Sequence, residues 1–126
     1  MTPAAEARGH LDKAREFLEA AELCSDLGLH SAATSNAVIA GINSKDAICL
    51  ALVGRTHKTD DHGRAVRELR EAGPAGRALE TTLSRLLRLK TRSQYQAGDI
   101  SAKDAEKAIE WGSKLVEGAQ RAVSGR

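Results

Sequence analysis

Apolar residues recur at three- and four-residue intervals through most of the chain, the spacing that gathers side chains on one face of an α-helix. Ala7, Leu11, Ala14, Leu18 and Ala21 keep this spacing in the first segment. Thr2 stands where a capping hydroxyl belongs, Pro3 suits the first helical position, and Gly28 ends the run just after Leu27. After a short link, Ser31 is placed to cap a second helix that runs to about Val53 and stops at Gly54. That helix is apolar on most sides, which predicts a place at the centre of the fold. Arg55 to Asp61 holds no apolar residue and reads as an exposed loop. Asp61 then caps a short third helix that turns Ala65, Val66 and Leu69 inward before Gly73 and Pro74 close it. A fourth helix, from about Ala75 to Gln96, carries Leu79, Leu83, Leu86 and Leu87 on one stripe. Ser101 and Asp104 make an aspartate version of the capping box at the head of the fifth, whose buried face includes Ala105, Ala108, Ile109, Gly112, Leu115, Val116, Ala119 and Val123. Four long helices with short links predict an all-α, antiparallel up-and-down four-helix bundle, with the short third helix an excursion between helices two and four.

Composition narrows this picture. The chain has 126 residues, 41% hydrophobic and 29% charged, which fits one domain over residues 1–126. Phe17, Tyr95 and Trp111 are the whole aromatic set, so the core is built from alanine, leucine, isoleucine and valine. Such a core suits closely packed helices and excludes a β-sandwich or barrel, which would draw on aromatic and β-branched residues. Cys24 and Cys49 are too few for a disulfide scaffold and fit free thiols in a reducing cytosol, with pairing under oxidation the alternative. The amino terminus lacks the basic-then-apolar pattern of a signal peptide, and the longest apolar run, Ala47 to Val53, is too short to cross a bilayer. A cytoplasmic location without membrane attachment is the resulting expectation.

Three polar residues fall where leucines are expected. On the second helix Ser35, Ile39, Ile42, Asp46 and Cys49 share a stripe, which sets Asp46 among apolar neighbours. On the fourth, the leucine stripe continues to Lys90, while Arg85, Arg88 and Arg92 point away from it. On the third, His62 precedes Val66 and Leu69 by four and seven residues, at the start of the inward face. A lone buried charge costs several kcal/mol, so Asp46 and Lys90 are expected to meet each other or to share water. Two readings stay open. One is a structural ion pair that fixes helix register, with His62 an ordinary capping or loop residue. The other is a polar pocket at one end of the bundle, lined by Asp46, Lys90, His62 and Tyr95.

The stretch from Ala37 to Cys49 (AVIAGINSKDAIC), the Asp61-His62 pair followed by Ala65-Val66, the segment from Leu86 to Tyr95 (LLRLKTRSQY) and the closing helix from Ser101 to Val116 together resemble a bacterial HEPN-domain protein (higher eukaryotes and prokaryotes nucleotide-binding). The resemblance implies a helical bundle, commonly dimeric. It also implies either an RNase acting as a toxin or defence effector, often beside a small nucleotidyltransferase partner, or a non-catalytic protein that binds nucleotides or nucleic acid. The RNase members carry an arginine separated by four to six residues from a histidine. Counted from Lys90 that histidine would stand at Tyr95, Gln96 or Ala97, and none of them is one; Arg88 and Arg92 give no histidine either. Arg55 and His62 have the spacing but straddle a loop. Lys90 can stabilise phosphorane charge, and His62 from a neighbouring helix is the remaining candidate base.

Net charge is +2, yet Arg55 to Arg92 holds ten basic and five acidic residues, a local excess of +5. Arg85, Arg88 and Arg92 share one side of helix four, and Arg64, Arg67 and Arg70 recur on helix three. Such runs are either solvated faces tied to Glu68, Glu71 and Glu80 or contacts for phosphates. His57, His62, Asp60 and Asp61 lack the ligand spacing of a metal site, and no glycine-rich phosphate loop is present, so neither metal nor cofactor is expected. The near absence of aromatics counts against recognition by base stacking. Small residues along helix two, with Trp111 beside Gly112, suit a homodimer contact. The sequence therefore points to binding of RNA, a nucleotide or a partner protein, with Asp46, Lys90, Tyr95, His62, Arg88 and Arg92 as contacts. The rivals are a metal-independent RNase using Lys90 and His62, and a structural dimerisation module.

Overall fold

The structure, a computed structural model, describes residues 1–95 and 98–125, without the side chains of Gln94 and Tyr95. Among these residues there are six helices and no strand: α1 (Pro3–Asp26), α2 (His30–Val53), α3 (His62–Glu71), α4 (Pro74–Arg77), α5 (Glu80–Tyr95) and α6 (Ala102–Ser124). The helix ends follow the sequence signals closely. Thr2 accepts a hydrogen bond from the Ala5 N–H at 3.1 Å, and Asp61 accepts from Arg64 N–H at 3.1 Å. Ser101 and Asp104 complete the capping box in both directions, and Gly54 ends α2 at φ +82°, a conformation that costs glycine little. Two expectations need correction. α2 begins at His30 with Leu29 at the cap, so Ser31 lies inside the helix and caps nothing. The fourth sequence helix is two: Gly73, at φ +99°, turns the chain into the single turn of α4, and α5 starts only at Glu80. Its expected last residue, Gln96, lies outside the described residues.

Residue pairings give the topology. His10 meets Asn43 and Cys24 meets Asn36, so α1 and α2 are antiparallel. Ser35 meets Ser93 and Gly41 meets Leu86, so α5 also opposes α2. Gly112 faces Ala37 and Gly118 faces Ile48, which makes α2 and α6 parallel, as diagonal members of an up-and-down bundle should be. This diagonal pair packs tightly because its contact residues are small. A Cβ on Gly112 would stand 3.3 Å from the Ala37 carbonyl oxygen, and one on Gly41 would stand 2.5 Å from Leu86 Cδ2 and 3.2 Å from Leu115 Cδ1. The other two long helices, α1 and α5, each pack on both members of the pair and lie on opposite sides of it.

As its apolar surface predicts, α2 is the central helix: Ala33, Ala37, Val38, Ala40, Ala47 and Ile48 are all at most 1% exposed. By length and composition it could cross a membrane, but 61% of its most apolar window is buried within the bundle. Cys24 lies beside Asn36 at one end of α2, and Cys49 lies near its other end. Thirteen residues of helix, roughly 20 Å at 1.5 Å per residue, separate those levels, so the two thiols cannot pair.

A Cβ at Gly76 would run into the backbone carbonyl oxygen of Leu69, whereas one at Gly9, on the exposed side of α1, meets nothing within 4 Å. Gly76→Ala should therefore lower the unfolding free energy by about 1–3 kcal/mol through overpacking. Gly9→Ala should raise it by up to about 1 kcal/mol through helix propensity alone. Urea titrations followed by circular dichroism measure both, and a Gly76→Ala protein as stable as the parent would disprove the tight corner.

Candidate functional site

The close approach of α2 and α6 leaves α1 and α5 apart on the far side of α2, and a cleft of about 540 Å³ opens there. No residue of α6 lines it. One wall is α1, with His10, Lys13, Glu16 and Phe17. The floor is α2, with Ile42, Asn43, Lys45 and Asp46. The opposite wall is α5, with Leu83, Leu87 and Lys90, joined by His62 and Ala65 of α3. His57 to Asp60, part of the segment between α2 and α3, closes one end like a strap.

The strap has no apolar side chain to bury, so polar contacts must hold it. They centre on Lys45, which is 2% exposed. Its Nζ donates to Glu68 Oε1 at 3.0 Å, Thr56 Oγ1 at 2.9 Å, His57 O at 3.3 Å and Asp46 Oδ1 at 3.3 Å. The Thr56 hydroxyl uses both its capacities, accepting from Lys45 and donating to Asp46 Oδ1 at 2.6 Å. His57 Nδ1 donates to the second Glu68 oxygen. Floor, strap and α3 are thus joined through one ammonium group. Burial raises the Glu68 carboxyl, but hydrogen bonds from His57 and Lys45 outweigh it and hold the group below its ordinary 4.5.

Asp46 is buried, as expected, at 4% exposure, but its partners are Lys45 and Thr56. The expected pairing with Lys90 is not formed: the adjacent lysine satisfies Asp46 from its own helix. Lys90 instead projects half-buried into the cleft, and no carboxylate among the described residues pairs with it. His62 lies near enough for the Lys90 charge to act on it. Burial first, then Lys90, push the imidazole below its ordinary 6.5, against a weaker opposing pull from Asp61 and Asp60. His62 is therefore neutral at physiological pH, with a lone pair available. Burial pushes the Cys49 thiol up to about 11, which excludes it as a thiolate nucleophile.

Two further expected contacts fall elsewhere, and a third is not described. Arg88 lies on another face of α5, in a shallow groove with Val66, Glu80, Thr81, Ser84 and Arg85. Arg92 donates to Asp104 Oδ2 at 3.2 Å and so braces the capping box of α6. Tyr95 ends α5, and its side chain lies outside the described residues. Of the basic run on α3, Arg70 pairs with Glu80 at 3.4 Å.

Sequence reasoning missed Lys45 and the whole α1 wall. A signal for Lys45 was present: a helix apolar on most sides buries any charge it carries, so Lys45 needed a partner as much as Asp46 did. His10, Lys13 and Phe17 follow helical spacing along the edge of the α1 apolar stripe, with nothing local to separate them from an ordinary boundary between core and solvent. Trp111, the expected dimer marker, packs partly buried against the main core. The family model for the HEPN domain matches residues 7–121 of the chain. No curated protein matches it.

Lys45→Met would strand two carboxylates in the interior, and removing one partner of such a cluster costs about 3–5 kcal/mol. Chemical denaturation should show a loss of that size. Because the Glu68 value is depressed in the folded state, the stability it supplies is complete above 4.5 and is lost as the pH falls through the folded value. Glu68→Gln should accordingly flatten the pH dependence of the melting temperature below about pH 4.5, and an unchanged acid limb would contradict the Lys45–Glu68 contact.

Proposed function

The chain belongs to the HEPN-domain family, and from that membership and the cleft we propose that it binds a phosphate-bearing ligand, a nucleotide or an RNA strand, between α1 and α5. The observation that carries this is Lys90, paired with no carboxylate among the described residues, in a lining that also holds Lys58, His62 and the apolar Ile42, Leu83 and Leu87. A half-buried ammonium with no carboxylate of its own is a ready anion site, since little must be broken to admit the ligand. Lys45 differs in this respect: two carboxylates already neutralise it, and its role is to shape the cleft. Apolar surface next to cations favours an organic anion over bare phosphate.

A second reading has its own support. His62 is neutral and adjacent to a cation, the arrangement that metal-independent cleavage of RNA requires of a base and a charge stabiliser. His62 would take the 2′-hydroxyl proton as that oxygen attacks phosphorus, Lys90 would stabilise the charge on the equatorial oxygens, and the P–O5′ bond would break to give a 2′,3′-cyclic phosphate and a 5′-hydroxyl protonated from water. The family's RNase and toxin–antitoxin roles agree with this reading, and under it the protein would work beside a partner of the nucleotidyltransferase class. Exposed Leu23, Leu27 and Leu29 at the α1–α2 corner are a surface that a second copy of the chain would cover, which supports a homodimer.

Fluorescence anisotropy with a short labelled RNA is the test. Lys90→Ala should weaken binding by about tenfold or more, the value of one charge-assisted hydrogen bond. Arg88→Ala should weaken it far less, and equal losses in the two variants would move the site out of the cleft. Cleavage in excess chelator that vanishes in both His62→Ala and Lys90→Ala would establish the second reading, and intact RNA under the same conditions would defeat it.

A further inference from the structure

The α1 wall carries chemistry that phosphate binding does not use. His10 Nδ1 lies 2.8 Å from Asn43 Oδ1, and Asn43 Nδ2 donates to Ile39 O at 3.0 Å. The second contact fixes the amide: its nitrogen faces a carbonyl, so its oxygen faces the imidazole. An amide oxygen only accepts, so His10 carries its proton on Nδ1, and its Nε2 is a lone pair in the neutral ring. Phe17 lies two turns further along the same wall, half-buried and packed beside Ala14, Ala40 and Val116. Lys13 on this wall is offset by Glu16, three residues on, which leaves the net cationic character of the cleft at the Lys90 end.

Resting on the proposed phosphate site, we propose that Phe17 and the Asn43-oriented His10 form the base-side subsite of the cleft, which takes a flat heteroaromatic ring bearing an amino group. Phe17 supplies a rigid face for the ring, since an aromatic platform accepts any base. His10 Nε2 accepts from the exocyclic amine, and a ring edge without that donor leaves the lone pair unsatisfied. The ligand lies across the floor, its phosphate toward Lys90 and its ring against α1.

Isothermal titration calorimetry on the full chain with ribose 5-phosphate, AMP and purine riboside 5′-monophosphate, which lacks the amine, separates the parts. AMP should bind about tenfold tighter than ribose 5-phosphate, as expected for one stacked base. Phe17→Leu, which keeps apolar volume and hence the fold, should remove most of that advantage and leave ribose 5-phosphate affinity unchanged, while Phe17→Trp should retain it. Preference for AMP over the purine analogue, about threefold to tenfold for one hydrogen bond, should vanish in Asn43→Leu or His10→Phe. Equal affinity for AMP and ribose 5-phosphate, insensitive to Phe17→Leu, would overturn the subsite while the phosphate site stands. Binding of neither compound, at micromolar to millimolar concentrations, would overturn both.

Discussion

An ammonium group removed from water must be surrounded by acceptors, and around Lys45 that requirement holds together the cleft floor, the strap and α3. The segment from Arg55 to Asp61 has no hydrophobic residue with which to dock, and an unsupported loop of that composition would stay solvated. Thr56 and His57 give Lys45 two of its four oxygens, Asp46 and Glu68 the other two. The position of the strap, the anchoring of α3 and the shape of the cleft floor are therefore consequences of one buried charge. Its two carboxylates also leave it no free valence for a ligand, which separates the group that builds the cleft from the group, Lys90, that faces into it.

The cleft has a second physical origin in helix packing. Four helices of equal spacing would close on one another and leave no groove. Here Gly41 and Gly112 bring the diagonal pair α2 and α6 together, and a rhombic cross-section with a short diagonal must have a long one. α1 and α5 occupy the ends of the long diagonal, and the surface of α2 between them is left open away from α6. The alanine- and glycine-rich composition thus does more than exclude a β-fold: it sets the width of the opening between His10 and Lys90.

Helix ends were legible because capping is local chemistry. Thr2, Asp61, Ser101 and Asp104 act within three residues of themselves, and those positions are as the sequence indicates. The break between α4 and α5 was hidden, since it depends on Gly76 fitting under the Leu69 carbonyl, a contact between segments. At the site, the inward placement of Asp46, Lys90 and His62 followed from helical periodicity, which assigns a residue to a face. It does not choose among partners on that face. The cost of a lone buried charge points Asp46 to Lys90 or to water, and the presence of Lys45 one residue away changes the pairing. Phe17 shows the same limit from the other side: periodicity places it at the edge of the α1 stripe, and only the packing of α1 against α2 puts it in the lining of the cleft.

The histidines that line the cleft stand in different surroundings. At the α5 end, burial and Lys90 both oppose protonation of His62, so a phosphate bound to Lys90 would remove part of that opposition and raise the proton affinity of the imidazole. Ligand binding at the proposed site would thereby be coupled to proton uptake, with the imidazolium a second donor to the phosphate. At the α1 end, the proton on His10 Nδ1 is committed to Asn43 Oδ1, which sets the tautomer of the neutral ring and leaves Nε2 as its acceptor. Of the three imidazoles that line the cleft, His57 is held to Glu68, His10 is oriented by Asn43 and His62 stands under the influence of Lys90, so each is set by its neighbours.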